Sequence, residues 1–433
     1  MIEGALRGLL GLGLLLGLCY LLSANRREIN WRLVGGGILL QALLAVLILA
    51  TPFGRVVEWM SGLFVSLLGF SDVGAQFMFG ELIDASRYGF AFKVLPTILF
   101  VAALTSLLYY FGVLQWIVFG FAWVMKRLMR LSGAESLAAA ANIFVGQTEA
   151  PLVVRPYVPK MTQSELMALM TGGMATIAGS VFGLYVVTLG GEDAEVKIAV
   201  ARQLLTASMM NAPAALLVAK MLVPEQESFD EDLLIPRDRA GRNALDALAR
   251  GTTEGLKLAL NVAAILIVFV AVIAMLNAIF GWLGALGKGP DAGYLDDLVI
   301  HLSGGVFSGL SMEAILGFLF APVAAAIGAD WSDVLQMGQL LGTKMVANEF
   351  VAYLQLGEIN TAGTLNPKSV FLATFALCGF ANFASIGIQI GGIGVLAPER
   401  RGDLAALGFK AMIGGTIASL LTASMAGMFF GMG

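Results

Sequence analysis

The sequence predicts an all-α polytopic membrane protein: eight transmembrane helices plus two re-entrant helical hairpins in an inverted repeat. Three observations predict it. The 433 residues are 58% hydrophobic and 13% charged, with a mean hydropathy of +0.85, whereas soluble domains carry about a quarter charged residues. Apolar runs long enough to cross a bilayer recur along the chain. Two further apolar segments are broken by glycine and polar residues, a pattern tolerated at membrane depth only where backbone is buried or lines a cavity.

The expected spans are 5–24, 33–51, 92–114, 164–189, 196–222, 255–287, 367–396 and 406–431. The first is read as a retained span, because ANRREINWR follows it rather than a small-residue cleavage site. The interrupted segments, 134–158 and 332–356, are the expected hairpins, and 311–329 is expected to be an amphipathic helix near the outer surface. Residues 1–130 then hold spans 1–3 with an interfacial helix. Residues 131–222 form the first hairpin with spans 4 and 5, and 223–330 a cytoplasmic linker, a long sixth span and the outer helix. Residues 331–433 form the second hairpin with spans 7 and 8. The polar stretch 223–250 reads as a solvated connector.

Basic residues set the orientation. The links at 24–34, 120–160, 220–257 and 398–410, with Arg26, Arg27, Lys126, Arg127, Arg155, Lys220, Arg237, Arg239, Arg400 and Arg401 among their residues, hold most of the 26 lysines and arginines. They are assigned to the cytoplasm. GGEDAE (190–195) and GPDAGYLDD (289–297) are acidic and face the other way. Both termini then point outward from the cell (inner) membrane. The net charge of −4 argues against a nucleic-acid partner.

The hairpins align with each other. GQTEAPL (146–152) matches VANEFVA (346–352), placing Glu149 over Glu349; ATIAGSV (175–181) matches ANFASIG (381–387), placing Thr176 over Asn382. By the charge-derived topology one unit starts from inside and the other from outside. Inverted repeats with broken helices are the signature of secondary transporters, with the site at the midplane between them. A carboxylate in hydrocarbon costs several kcal/mol or more, so both glutamates are expected to face a wet cavity. Lys344 is the candidate ion-pair partner for Glu349. Gln147, Thr148, Glu149, Glu349, Asn382 and Ser385 together accept and donate hydrogen bonds without a cationic clamp for phosphate. They suit a neutral, polyhydroxylated or heterocyclic solute, and Phe380 or Phe383 could offer it an aromatic face. Asn142, the Thr176 hydroxyl and the carbonyls of Val145 and Ile177 could form an all-oxygen cage for a small cation; Asn142 could equally cap a helix.

GQTEAPL, ANEFVAY (347–353) and GFANFASIGIQIGG (379–392) resemble the concentrative nucleoside transporter family, in the family's motif order from about residue 90 onward. The resemblance implies a homotrimer in the lipid bilayer, with a transport domain moving like an elevator against a scaffold. It implies sodium (Na+) symport of a nucleoside such as uridine, cytidine or adenosine, and no organic cofactor. By resemblance Gln147, Thr148 and Glu149 contact the base, Val181 lines its pocket and Phe380 lies against its face. Glu349, Asn382 and Ser385 hold the ribose, and Asn142, Val145, Thr176 and Ile177 hold the ion. Proton coupling through a glutamate is the alternative within transport. A membrane-embedded enzyme lacks a nucleophile or metal constellation: the cysteines, Cys19 and Cys378, lie in apolar runs, and His301 is the only histidine. A channel is the remaining class.

Overall fold

The computed structural model describes residues 2–83, 91–191, 193–228, 241–286 and 293–431. Arg237, Arg239 and parts of the links at 190–195, 220–257 and 289–297 lie outside the described residues. Among the described residues there is no strand; the chain is helical throughout.

The helices are α1 (Ile2–Leu22), α2 (Trp31–Ala45), α3 (Gly54–Phe79), α4 (Ala91–Tyr110), α5 (Val113–Met129), α6 (Gly133–Asn142), α7 (Ala150–Val153), α8 (Gln163–Ala175) and α9 (Gly179–Gly190). They continue as α10 (Ala194–Leu222), α11 (Ala244–Gly284), α12 (Tyr294–Ser303), α13 (Met312–Ala326), α14 (Val334–Val346), α15 (Glu349–Thr361), α16 (Pro367–Leu377), α17 (Phe383–Leu396) and α18 (Arg401–Gly427). Many starts are specified locally. Ser132 with Glu135 and Thr162 with Glu165 form reciprocal capping boxes on α6 and α8. Asn30, Asp193, Asn243, Ser311, Asn348 and Asn382 each accept a backbone N–H at the start of a helix.

The spans expected at 33–51, 164–189, 196–222, 255–287 and 406–431 fall on helices long and apolar enough to cross a membrane. Those at 5–24 and 367–396 fall on shorter apolar helices, Leu6–Leu22 and the pair Pro367–Leu377 and Phe383–Leu396. The span expected at 92–114 stops at Tyr110. Gly112, at φ 80, turns the chain, and α5 leaves at 76° to α4; a positive φ suits glycine because it has no Cβ to clash. Gly54–Ile83 also has the length and hydropathy of a span, in a stretch where the sequence left room only for the interfacial helix.

The sixth span is longer than expected. Helix α11 runs 41 residues, about 60 Å at 1.5 Å per residue, roughly twice the hydrocarbon core of a bilayer. Its first half crosses α4 closely. A Cβ on Gly251 or Gly255 would press on Ala102, Ala103 or Leu99, and Ser106 Oγ donates to the Ala247 carbonyl at 2.8 Å. Small residues four apart let two helix backbones approach. Helix α13 departs from expectation in one respect. Its buried side packs on α14 through Gly317, Gly338 and Gly342, but its exposed side carries Ile315 and Leu319. It is apolar on both faces rather than amphipathic.

The links assigned to one side of the membrane do meet at one end of the molecule. Ala24 N–H donates to the Leu222 carbonyl, and Arg400 donates to the carbonyls of Pro159 and Met161. Lys220 pairs with Glu135 at 2.8 Å and Glu225 at 3.0 Å, and Thr162 Oγ1 donates to Glu225. The starts of α6 and α8 are thereby tied to the end of α10. At the start of the second unit, Asp333 accepts from the backbone and side-chain nitrogens of Asn366, tying α14 to α16.

Candidate functional site

Each repeat supplies a helix–break–helix unit and a second broken helix. In the first repeat these are α6 and α7 around the break at 143–149, and α8 and α9 around 176–178. In the second they are α14 and α15 around 347–348, and α16 and α17 around 378–382. The units interlock through glycine. Gly179 N–H donates to the Phe144 carbonyl at 3.0 Å, and a Cβ on Gly146 would meet Ala178. Gly379, at φ +108, lies against the Ala175 carbonyl, where any Cβ would collide. The C-terminal ends of α8 and α16 therefore abut.

One polar chain crosses from repeat to repeat. Gln147 Nε2 donates to Ser385 Oγ at 3.0 Å. Ser385 N–H donates to Asn382 Oδ1 at 2.9 Å, which caps α17. Asn382 Nδ2 donates to Glu349 Oε2 at 3.0 Å, and Tyr185 OH donates to Glu349 Oε1 at 2.8 Å. Asn382 thus works at both ends: its oxygen holds the helix and its nitrogen holds the carboxylate, which fixes the amide's orientation. Gln147, Glu349, Asn382 and Ser385 are all buried. Each Glu349 oxygen accepts one side-chain bond within the protein, and a carboxylate has about four acceptor positions, so acceptor capacity remains.

The remaining sequence-predicted residues lie around this chain without joining it. Glu149 stands at the start of α7, its carboxylate 3.4 Å from Gly146 N–H. Thr148 is exposed, its methyl near Gly392 of α17. Val181 is buried in the first turn of α9, and Phe380 is half-buried in the break before α17. Phe383 points away, stacked on Phe409 with ring centroids 6.3 Å apart.

Lys344 is not the partner of Glu349. Its ammonium donates to the carbonyls of Ala376 (2.9 Å) and Cys378 (3.3 Å) and to Ser419 Oγ (3.0 Å). Helix C-termini leave carbonyls without intrahelical donors, and the end of α16 takes two of the lysine's three N–H groups. Sequence reasoning missed Tyr185 and Gln389. Gln389 Nε2 donates to Gln147 Oε1 at 3.1 Å and to the Met170 carbonyl at 3.0 Å, holding Gln147 toward Ser385. It is the lone amide in the apolar run IGIQIGG, and that isolation was the available signal.

The cation candidates gather at the end of α8. Asn142, the last residue of α6, lies beside Gly172, while Thr176 Oγ1 donates to the Gly172 carbonyl at 2.9 Å. Both amide atoms of Asn142 are buried and without a hydrogen-bond partner among the described residues. Nor, among the described residues, does a hydrogen bond end on the carbonyl of Val145 or Ile177. Buried polar groups are nearly always satisfied, so an orphaned amide against the helix turn that also takes the Thr176 hydroxyl, with unbonded carbonyls in the two adjoining breaks, fits a small cation.

The sequence matches the Na+ dependent nucleoside transporter N-terminus over residues 10–82, a nucleoside recognition gate over 91–192, and the Na+ dependent nucleoside transporter C-terminus over 203–427. An uncharacterized transporter of Haemophilus influenzae is 42% identical, over 99% of this chain and 98% of its own. Solute carrier family 28 member 3 of Rattus norvegicus is 41% identical over 96% of this chain, which spans 58% of that relative's length. Among solved structures, CNTnw in an inward-facing substrate-bound state superposes with a TM-score of 0.87 at 40% identity, over 98% of this chain and 99% of that one. A CNTnw variant in an outward-facing state gives 0.86 at 38% identity, over 99% and 98%. These relatives are transporters rather than enzymes, and CNTnw is solved in states open to either side. Matched along nearly its whole length, the chain belongs to the Na+ dependent, concentrative nucleoside transporter family.

Proposed function

We propose that the chain is a sodium:nucleoside symporter of the inner membrane, working as a homotrimer with an elevator-type transport domain and both termini outward. The observation that carries this reading is the polar chain from Gln147 to Glu349, which joins the two repeats through uncharged donors and one carboxylate. Such a set recognises a neutral solute with hydroxyls and amide-like edges. Glu349, Asn382 and Ser385 would take the ribose hydroxyls. Gln147, Thr148 and Glu149 would take the base, with Val181 lining its pocket and Phe380 against its face.

Asn142, the Thr176 hydroxyl and the carbonyls of Val145 and Ile177 would hold sodium, whose entry contributes the driving force. A nucleoside is neutral, so the membrane potential acts only through the ion, at roughly 2.3 kcal/mol per charge per 100 mV. Asn142 and Glu149 flank one break. A cation beside Asn142 orders the segment that receives the base, so ion and solute favour the same state. Uptake of uridine and adenosine by purified protein in proteoliposomes tests the reading. A sodium gradient should drive accumulation, Glu149→Gln should reduce it sharply, and a proton gradient alone should not support it. Accumulation on the proton gradient alone, or undiminished uptake in the variant, would overturn it.

A further inference from the structure

The second repeat treats the end of its broken helix differently from the first. At the end of α8 stand a neutral amide with no partner, Asn142, and a carbonyl, that of Ala175, that accepts Asn211 Nδ2 at 2.7 Å. At the end of α16 stands a charged amine, Lys344, reaching from α14 just as Asn142 reaches from α6. Lys344 is fully buried, and its three N–H groups are all spent on oxygen: two end-of-helix carbonyls and a serine hydroxyl of α18. An ammonium has three donors and no acceptor, so this cluster is an oxygen cage closed around a cation. The two helix ends abut at Gly379 and Ala175, and each brings the equivalent of about half a negative charge. Their junction is stabilised by positive charge from either side.

We propose that Lys344 is a tethered cation: its ammonium sits in the second repeat's counterpart of the sodium cradle, so only the first repeat takes a mobile ion. The inference rests on the reading of Asn142 as part of that cradle. Because the lysine travels out and back with the protein, it moves no net charge per cycle. Each nucleoside is then accompanied by one mobile cation, and the second repeat adds no ion dependence of its own. Glu349, the carboxylate of the same unit, is already engaged by Tyr185 and Asn382, so Lys344 serves the helix ends rather than the substrate carboxylate.

Reversal potentials of uridine-driven current in proteoliposomes give the charge moved per uridine. The expected ratio is about one, since each mobile cation couples one charge to the potential; about two would overturn the proposal. Lys344→Ser replaces the ammonium by a hydroxyl and opens a place for an ion. Its sodium activation should change from hyperbolic toward sigmoidal, with a Hill coefficient rising from about 1 toward 2, the number of sites. A folded Lys344→Ser protein with hyperbolic sodium activation would overturn the proposal, which a merely structural lysine predicts. If that variant does not fold, the wild-type ratio decides. The ratio counts whichever cation moves, so a ratio of about one with sodium-independent uptake would sink the sodium reading and leave the tethered cation supported.

Discussion

The two repeats share a backbone plan and place a buried lysine at opposite ends of it. In the first repeat the buried lysine lies where the helices start. Lys220, 4% exposed, holds Glu135 and Glu225, while the break deeper in carries the Glu149 carboxylate beside the neutral Asn142 and Thr176, with no lysine or arginine in its sequence. In the second repeat the start is held by the Asp333 carboxylate and the neutral Asn366, while the break has a lysine on one side and Glu349 on the other. The repeat thus fixes where helices break, but not which break carries a cationic side chain of its own. Symmetry of fold allows asymmetry of charge.

The largest expected effect breaks the comparison at the helix starts. Lys220→Met leaves the Glu135 carboxylate buried without its partner, a change that costs about 3–5 kcal/mol. It should lower the melting temperature of the detergent-solubilised protein sharply. Asp333→Asn, at the matching end of the second repeat, removes a charge but keeps an acceptor, and should cost about 1–3 kcal/mol in the same assay. Equal losses would erase the distinction between the two ends.

Next is the site. Glu349→Gln weakens two charge-assisted hydrogen bonds and those left for solute hydroxyls, together about 3 kcal/mol, which is roughly a 100-fold loss of uridine uptake at low concentration. Asn382→Asp should lose as much by placing a second carboxylate against the first; full uptake in it would contradict the bond from Asn382 to Glu349. The smallest effect tests a residue that acts through another. Gln389→Leu removes the donor that orients Gln147, worth about 1 kcal/mol. The apparent KM for uridine should rise roughly fivefold with little change in maximal rate.

Much of this arrangement was legible in the sequence. The pairing of Glu149 with Glu349, and the breaks near Thr176 and Asn382, follow from polar residues and glycines set in apolar runs. Asn382 reads there as a donor and acceptor for a solute; that it and Asn348 also cap helices emerges only from the structure. What was not legible depends on through-space partners. Tyr185 reads as one more large apolar residue in GLYVVTL until its hydroxyl is seen on Glu349. Lys344 reads as a counter-ion for the glutamate on the same unit, because sequence does not show that the end of α16 offers carbonyls closer to hand. The turn at Gly112 was hidden by a run of apolar residues on both sides of it.

In the function proposed above, the first repeat's break, through Asn142, carries the ion that drives the solute. The direct measurement is sodium-gradient uridine uptake by Asn142→Ala protein in proteoliposomes, compared with wild type across a range of sodium concentrations. The variant should still fold and bind uridine, while sodium activation of uptake is lost or shifted at least tenfold to higher sodium, a change of about 1.4 kcal/mol or more. Sodium dependence indistinguishable from wild type would contradict it.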